Sequence, residues 1–308
     1  MMRKVFLSVG AALLLALVIL FATISLRWNR RFDAPYPRLA ASTDSALIAR
    51  GRYLAYGPAH CSDCHTAPAE YPTLKSGASP PLSGGGEFAI PLGTIRVPNI
   101  TPDSATGIGP RSDSALARLL RYGVRADGRA AIPFMEFHDM SDTDIVALLS
   151  FLRAQKSVRN PVPDHHYNLL GKAVLAFVMK PVGPTQAPPA QSPPPGPTPE
   201  RGEYLVNGVA NCAGCHSQRS MVTGAYTGPR LAGGSAMETA GTPSIKVVPP
   251  DITAKGRAGQ WTEDEFVARF HAGERIPGSP MPWQAFRRIR DDDLRAIYRY
   301  LRSVRTAA

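Results

Sequence analysis

Apolar positions are most concentrated at the N-terminus of the chain. Residues 5–26 contain no charged side chain, and as a helix they would extend about 33 Å, enough to cross the hydrocarbon core of a bilayer. The run is longer than the apolar core of a usual signal peptide, and no small-residue cleavage site precedes a polar start. We therefore predict an uncleaved membrane anchor over residues 1–31, with a cleaved signal peptide as the alternative. Either one predicts export.

Further along, apolar residues recur with the 3.6-residue period of amphipathic helices. One such helix is predicted from Ser141 to about Lys156, where Ser141 and Asp144 resemble a capping box. The other predicted helices run from Ser42 or Asp44 through Tyr53, from near Pro199, and over Ser112–Tyr122, Thr262–Ala272 and Asp291–Val304. The predicted fold class is all-α, with long loops rich in Gly and Pro over residues 76–110 and 219–260.

The predicted helices belong to an internal repeat. The segment Arg50-Gly51-Arg52-Tyr53-Leu54 recurs 151 residues later as Arg201-Gly202-Glu203-Tyr204-Leu205, and a Cys-x-x-Cys-His motif recurs at the same spacing. We predict two tandem copies of one domain, module 1 over residues 40–160 and module 2 over residues 200–308. Recurring aromatic residues are expected to pack the first helix of each copy against its last: Tyr53 and Phe151 beside Gly51, and Tyr204 and Tyr300 beside Gly202.

Residues 161–199 connect the two predicted modules. Nine prolines fall within residues 181–199, which is typical of an extended polyproline-type linker that could reach about 59 Å. We expect this linker to let module 2 swing. The preceding apolar segment Tyr167–Lys180 is a helix candidate that is too short to span a membrane. It is expected either to pack on module 1 or to lie at the bilayer surface.

Charge is distributed unevenly along the 308 residues. The net charge is +11, and the largest surplus, +5, falls in residues 1–39 on both sides of the apolar run. This location is typical of membrane flanks, so we predict no nucleic-acid partner. Because both flanks are basic, the positive-inside rule does not fix the orientation of the anchor.

The four cysteines of the chain all lie in the two recurring motifs, Cys61-Ser62-Asp63-Cys64-His65 and Cys212-Ala213-Gly214-Cys215-His216. Cys-x-x-Cys-His is the attachment motif of c-type haem, in which two thiols form thioethers and the histidine ligates iron. A zinc site would require four ligands at another spacing, and a thioredoxin-like motif would require a βαβ context. We predict two covalently bound haem c groups, with His65 and His216 as the proximal iron ligands.

A methionine is the expected sixth ligand of each iron, because thioether ligation is typical of electron-transfer haems. In module 2, Met281 lies ten residues before Asp291, at which the last helix is predicted to begin. Met221 and Met237 are the alternatives there. In module 1 the equivalent position is Ile132 and the nearest methionine is Met135, with His138 or an open iron as alternatives. Met140, directly before Ser141, is interpreted as a packing residue.

These residues resemble the class I cytochrome c family, and in particular the membrane-anchored cytochrome c subunits of bacterial periplasmic dehydrogenases. The matches include Gly51-Arg52-Tyr53-Leu54, the haem motif, Gly84-Gly85, and Pro98-Asn99-Ile100-Thr101-Pro102-Asp103. The resemblance covers residues 40–160 and 200–308 and implies an all-α fold that encloses haem and transfers electrons. Two departures are the presence of two haem motifs where such subunits often have three, and Arg111 where the family usually has Trp.

The function predicted from these observations is that of a diheme cytochrome in the bacterial cytoplasmic membrane, single-pass, with its haem domains in the periplasm. It would carry electrons between a dehydrogenase or other donor and the respiratory chain, through a quinone-linked complex or a terminal oxidase. The alternative is a diheme redox enzyme, peroxidase-like or a sulfur-compound oxidase, with an open haem in module 1. The sequence contains no Ser-His-Asp set, phosphate loop or dinucleotide fingerprint.

Overall fold

The computed structural model describes residues 2–184, 186–220, 225–239 and 242–304. Twelve α-helices lie in these ranges: α1 (Met2–Arg27), α2 (Ser45–Tyr56), α3 (Cys61–His65), α4 (Tyr71–Lys75), α5 (Asp113–Tyr122), α6 (Asp142–Ala154), α7 (Leu169–Phe177), α8 (Pro199–Tyr204), α9 (Cys212–His216), α10 (Glu263–His271), α11 (Trp283–Phe286) and α12 (Asp291–Ser303). A π-helical turn over Leu205–Val209 extends α8. The protein is thus helix-rich, in the order that the repeat predicts.

Two small antiparallel sheets correct the prediction of an all-α fold. Five strands form them: β1 (Glu87–Ile90), β2 (Gly93–Arg96), β3 (His166–Tyr167), β4 (Met237–Thr239) and β5 (Thr242–Val247). β2 is the central strand between β1 and β3, and β4 pairs with β5. Both hairpins lie inside the long loops of the two modules. The short apolar runs there alternate too briefly to stand out from loop sequence, so periodicity alone does not detect them.

The helices begin where polar caps predict. Ser112, Ser141 and Thr262 each accept a hydrogen bond from the backbone N–H three residues later. The full capping box forms at Thr262, whose N–H donates back to Glu265. It does not form at Ser141, because the carboxylate of Asp144 instead accepts hydrogen bonds from other parts of the molecule, described below.

Each module is built on a close crossing of its first and last helices. In module 1, α2 crosses α6 at Gly51, and a Cβ at that position would lie 1.8 Å from the carbonyl oxygen of Ala147. In module 2, α8 crosses α12 at Gly202, and the corresponding distance to Ala296 is 1.9 Å. Only glycine permits this approach. The same crossing in both copies shows that the sequence repeat is also a structural repeat.

The two modules pack against each other and share one hydrophobic cluster, which includes Leu148, Ile145, Leu205 and Leu294. The proline-rich segment is bound to both modules instead of hanging free. The carbonyl of Pro189 accepts the N–H of Asp142 at 3.0 Å, and the carbonyl of Pro193 accepts a guanidinium N–H of Arg201 at 3.0 Å. The expectation that module 2 swings on a free linker is therefore wrong for this structure.

α1 is the one helix, among the residues that the structure describes, long and apolar enough to cross a membrane. Its side chains are exposed along most of its length, with Ile24 buried near the C-terminal end. There it packs against α7, which is the short apolar helix predicted between the modules. The side chain of Asn168 caps α7 by accepting the N–H of Gly171.

Candidate haem-binding sites

The two Cys-x-x-Cys-His segments form the short helices α3 and α9. Each helix is preceded by a residue in the left-handed conformation, His60 with φ 43° and Asn211 with φ 47°. Residues three apart on a helix lie on one face, so the two cysteines of each motif point to the same side. The four thiols are free, as attachment of a group through two thioethers requires.

The histidine of each motif is held by a proline carbonyl from the following loop. His65 Nδ1 lies 2.9 Å from the carbonyl oxygen of Pro98, and His216 Nδ1 lies 2.8 Å from that of Pro250. Since a carbonyl oxygen only accepts, Nδ1 carries the proton and Nε2 keeps the lone pair that binds a metal ion. Both histidines are thus in the tautomer that an iron ligand needs.

The loop that supplies each carbonyl is fixed by the residue after the proline. Asn99 Oδ1 accepts the N–H of Thr101 at 2.9 Å, and Asp251 Oδ1 accepts that of Thr253 at 2.7 Å. The two loops therefore have the same turn, in which a side chain stands in for a backbone acceptor. The repeat extends from the motif to the partner that orients its histidine.

Burial gives both sites an apolar character. It lowers the pKa of His65 to about 4, although the hydrogen bond with Pro98 opposes the shift, and it also lowers the pKa of His216. Burial raises the pKa of the Cys61 and Cys212 thiols to about 12 and that of Cys64 to about 11. Neutral thiols and a neutral imidazole in an apolar setting suit a porphyrin better than a thiolate-bound cation.

A metal site built only from side chains is not found in the described ranges. No three His, Cys, Asp or Glu side chains converge there, so the two cysteine pairs do not form one four-thiolate group. The motif, the free thiols and the histidine tautomer together fit haem c.

The methionines predicted as sixth ligands are both half-buried and pack against the shared core. Met281 lies two residues before α11, and its carbonyl accepts the N–H of Trp283, the first residue of that helix, at 2.7 Å. Met135 lies in an irregular loop between the exposed Phe134 and the buried Glu136. Their ligation of iron remains a prediction.

The residues considered as alternative sixth ligands lie in different surroundings. His138 is half-buried, and its Nε2 lies 3.6 Å from a carboxylate oxygen of Asp139. Met237 belongs to β4, and Met221 lies outside the described residues. Met140 is fully buried in the core, as expected for a packing residue.

The modules meet through a reciprocal exchange of hydrogen bonds that sequence analysis missed. Within each module an arginine binds an aspartate, Arg50 with Asp144 at 2.8 Å and Arg201 with Asp293 at 2.9 Å. The tyrosine of each first helix donates to the aspartate of the other module: Tyr53 Oη lies 2.6 Å from Asp293 and Tyr204 Oη lies 2.8 Å from Asp144. Tyr53 and Tyr204 thus link the modules, beyond the packing within one copy that their positions predicted.

The first haem motif lies directly at this interface. Burial raises the pKa of the Asp63 carboxyl to about 7, although the nearby backbone N–H groups of Ala285 and Gln284 in module 2 oppose the shift. The ring of His60 packs edge-on against Phe286, with ring centroids 5.5 Å apart. Through these contacts α11, which follows Met281, packs against α3 of module 1. The one sequence signal for this contact between the first haem motif and module 2 is that module 1 has Asp63 where module 2 has Gly214.

Two further contacts across the interface involve arginines of module 2. Arg219 Nη2 lies 2.9 Å from the carboxylate of the buried Glu136. Arg288 donates to the carbonyl oxygens of Leu74 and Ala78, at 2.8 and 2.7 Å. Charged groups of module 2 therefore satisfy acceptors on module 1.

Comparison with known proteins agrees with the geometry of the site. Residues 199–305 match the cytochrome c family. Residues 199–305 therefore form a cytochrome c domain, which implies covalently bound haem c.

Among curated proteins, the chain is 34% identical over 287 residues to the cytochrome c subunit of a quinone-dependent alcohol dehydrogenase from Gluconobacter oxydans, covering 86% of this chain and 56% of that protein. It is 30% identical to the cytochrome c subunit of gluconate 2-dehydrogenase from Pantoea cypripedii, covering 85% of this chain and 60% of that protein. It is 28% identical to a diheme cytochrome c-type protein from Cereibacter sphaeroides, covering 94% of this chain and 96% of that protein. The chain thus spans little more than half the length of the dehydrogenase subunits.

Proposed function

We propose that this chain is a membrane-anchored diheme cytochrome c that transfers electrons in the periplasm between a dehydrogenase or other donor and the respiratory chain. The observation that carries the proposal is the duplicated attachment geometry. The thiol pair, the histidine tautomer and the proline carbonyl of module 1 recur in module 2 with distances that agree within 0.1 Å for the histidines, 2.9 and 2.8 Å.

The haem-binding residues form two equivalent sets, one in each module. Cys61, Cys64 and His65 hold the first haem, and Cys212, Cys215 and His216 hold the second. Met135 and Met281 supply the sixth ligands. When bound, haem c accepts and releases one electron at a time. The protein sets how readily this happens by keeping Nε2 of each histidine unprotonated, by offering a thioether and by excluding water from the site.

The interface between the modules supports transfer within the chain. The exchange of Tyr53 and Tyr204 with the aspartates of the opposite module fixes the two attachment helices relative to each other. α3 lies against α11, next to Met281. An electron carrier benefits from this rigidity because the separation of the two irons then stays constant during turnover.

The anchor and the partners follow from α1 and from the relatives. α1 has the length and apolarity to hold the chain in a membrane. Several relatives are named as cytochrome subunits of alcohol, gluconate and fructose dehydrogenases. We therefore assign a dehydrogenase as the electron donor and a respiratory-chain component as the acceptor.

The number of haems is tested by mass spectrometry and the pyridine haemochrome assay on full-length protein matured in a host that attaches haem c. We expect two haems per chain. A Cys61→Ala/Cys64→Ala double variant should retain one haem, and a Cys212→Ala/Cys215→Ala variant should retain the other. A single haem in the unmodified protein would overturn the diheme proposal.

A second candidate function, a redox enzyme with an open haem in module 1, is favoured by one observation. Ile132 stands where module 2 has Met281, and the loop after it forms no helix equivalent to α11. The ferric spectrum separates the two functions. A high-spin signal that shifts on addition of cyanide or peroxide would favour the enzyme, whereas a far-red charge-transfer band lost in Met135→Ala would support the carrier.

A further inference from the structure

The short helix α7 presents an apolar face that no described residue covers. Leu169, Leu170 and Phe177 are 52%, 57% and 46% exposed. Two other residues of the helix, Gly171 and Ala176, are buried. A Cβ at Gly171 would lie 2.1 Å from the carbonyl oxygen of Leu92, so α7 sits tightly on the β1–β2 hairpin. A continuous apolar surface of this kind marks an interaction site.

α7 lies where α1 would leave a bilayer. The two helices are in contact, and Ile24, near the end of α1, is its buried residue. Aromatic residues surround the junction: the rings of Trp28 and Tyr167 lie 6.3 Å apart, and Lys172 Nζ lies 5.4 Å from the Trp28 ring. Trp and Tyr are enriched at membrane interfaces, because their rings are apolar and their polar atoms are not.

A cleft beside this junction is lined by arginines and aromatic side chains: Trp28, Arg30, Phe32, Arg125, Arg129 and Tyr167. The guanidinium of Arg30 donates to the carbonyl of Met179 and lies over the Phe32 ring, 4.8 Å from its centroid. Its Nε is buried and has no hydrogen-bond partner among the described residues. The guanidinium thus keeps one unsatisfied donor at the wall of the cleft.

The balance of charge around the cleft is positive. Arg125 and Arg129 are paired with Asp127 and Asp164, at distances from 2.8 to 3.8 Å. Outside these pairs, further cations stand on the same segments of the chain: Arg27, Arg30, Arg31, Lys172 and Lys180. Because basic residues after a spanning helix more often face the cytoplasm, a basic cluster on the outer side calls for a specific role.

We propose that α7 and the arginine cleft form a docking surface for anionic phospholipid in the bilayer that α1 crosses. α7 lies in the interface with Leu170 and Phe177 among the acyl chains, and Arg30 contacts a lipid phosphate. The inference rests on the proposed function, because it requires α1 to be in a membrane. Continuity with α1 and the positive charge favour lipid over a second copy of the chain or a soluble protein.

Single engineered cysteines test the docking, since the natural cysteines are consumed by haem attachment. Full-length holoprotein carrying Leu170→Cys is placed in nanodiscs, one chain per disc, and treated with a charged, water-soluble maleimide. We expect labelling at least about tenfold slower than at Glu203→Cys, an exposed position on module 2, because burial of an apolar site in lipid excludes the reagent. Leu14→Cys, within α1, reports whether the anchor itself is inserted.

The outcomes separate the docking from the anchor. Protection at both Leu14→Cys and Leu170→Cys supports the docking surface. Protection at Leu14→Cys with rapid labelling at Leu170→Cys overturns the docking surface and leaves the anchor intact. Rapid labelling at both positions overturns the docking surface together with the membrane anchor of the proposed function.

The lipid phosphate contact has its own test. In discs of phosphatidylcholine with phosphatidylglycerol, Leu170→Cys should be labelled more slowly than in phosphatidylcholine alone. Adding Arg30→Gln should remove this difference, whereas Arg30→Lys and the exposed-site control Arg111→Gln should keep it. Equal labelling in the two lipid mixtures, or a difference that survives Arg30→Gln, would overturn the role of Arg30.

Discussion

Modules 1 and 2 have the same scaffold. They differ in the loop that carries the methionine predicted as the sixth ligand of the iron. In both, a glycine crossing, an Arg–Asp pair and a proline carbonyl hold the haem motif in place. In module 2, Met281 lies two residues before the helical turn α11, whereas Met135 lies in an irregular loop three residues beyond the equivalent Ile132. The parts that position the histidine of each Cys-x-x-Cys-His motif thus recur in both modules, whereas the loops that contain Met135 and Met281 differ. Two haems with different properties in one rigid chain are the expected result.

The largest effect is expected at the glycine crossings, where the modules are most alike. Gly51→Ala and Gly202→Ala would each place a Cβ less than 2 Å from a carbonyl oxygen, which forces the helices apart. We expect a loss of about 4 kcal/mol or more for either variant, in the range of severe core disruptions. Thermal unfolding of the holoprotein measures it. A mild effect in one module alone would show that the two crossings are not equivalent.

Removing the buried arginine should distinguish the modules. Arg201 is 1% exposed and Arg50 is 20% exposed in their side chains. Arg201→Leu leaves the buried Asp293 with only the more distant Arg290, whose Nη2 lies 3.5 Å away and whose side chain is 56% exposed, at a cost of about 3 kcal/mol. Arg50→Leu should cost less, because water reaches that pair. Denaturant unfolding of the two variants gives the comparison, and equal losses would contradict it.

Replacing the methionine in either loop should change the reduction potential of the haem in the same module and leave the other haem unchanged. Met281→Ala is expected to abolish the far-red charge-transfer band of the second haem. It should also lower that haem's potential by a substantial part of the roughly 0.8 V range that axial ligands cover. Met135→Ala should do the same for the first haem only. Redox titration with optical detection checks both, with Met140→Leu as a packing control that should leave both potentials in place.

The tyrosine exchange should show smaller and matched effects. Tyr53→Phe and Tyr204→Phe each remove one hydrogen bond to a buried carboxylate, with an expected loss of about 1–3 kcal/mol. Because the two contacts close the same interface, the double variant should lose a different amount from the sum of the single variants. Strict additivity would show that each tyrosine stabilises only its own contact.

The smallest expected effect is a loss of folding stability at acid pH, which involves Asp293. Burial alone would raise the pKa of Asp293, but hydrogen bonds and charge from Arg201, with further help from Tyr53, hold it below its usual value. A lowered folded-state pKa stabilises the protein above the unfolded-state value of about 4 and loses this contribution as pH falls below it. Unfolding measured between neutral and acid pH should show this loss. It should be reduced in Asp293→Asn.

Local sequence patterns were sufficient for the parts of the molecule that depend on neighbours along the chain. The helix starts at Ser112, Ser141 and Thr262 follow from capping residues, and the haem motifs follow from five consecutive residues. The hairpins were missed because strands of three to six residues carry little periodic signal. The link from Tyr53 to Asp293 joins residues 240 positions apart, and no local pattern encodes such a pairing.

The sequence also suggested a free linker, because prolines favour extended chain in isolation. The structure instead binds the carbonyls of Pro189 and Pro193 to Asp142 and Arg201. Each carbonyl finds a donor at the start of a helix, which composition does not reveal. The extended shape was predictable, but the surface that it follows was not.

The hydrogen bonds that Tyr53 and Tyr204 make across the interface are related to each other like the two halves of a twofold-symmetric contact. Each module carries one tyrosine and one aspartate, and each tyrosine meets the aspartate of the other module. A single module therefore presents a self-complementary patch of the kind that closes isologous dimers. The chain is thus arranged like a dimer whose two halves are joined by a peptide segment, and under the proposed diheme function that segment would keep the two unlike haem sites at a ratio of one to one.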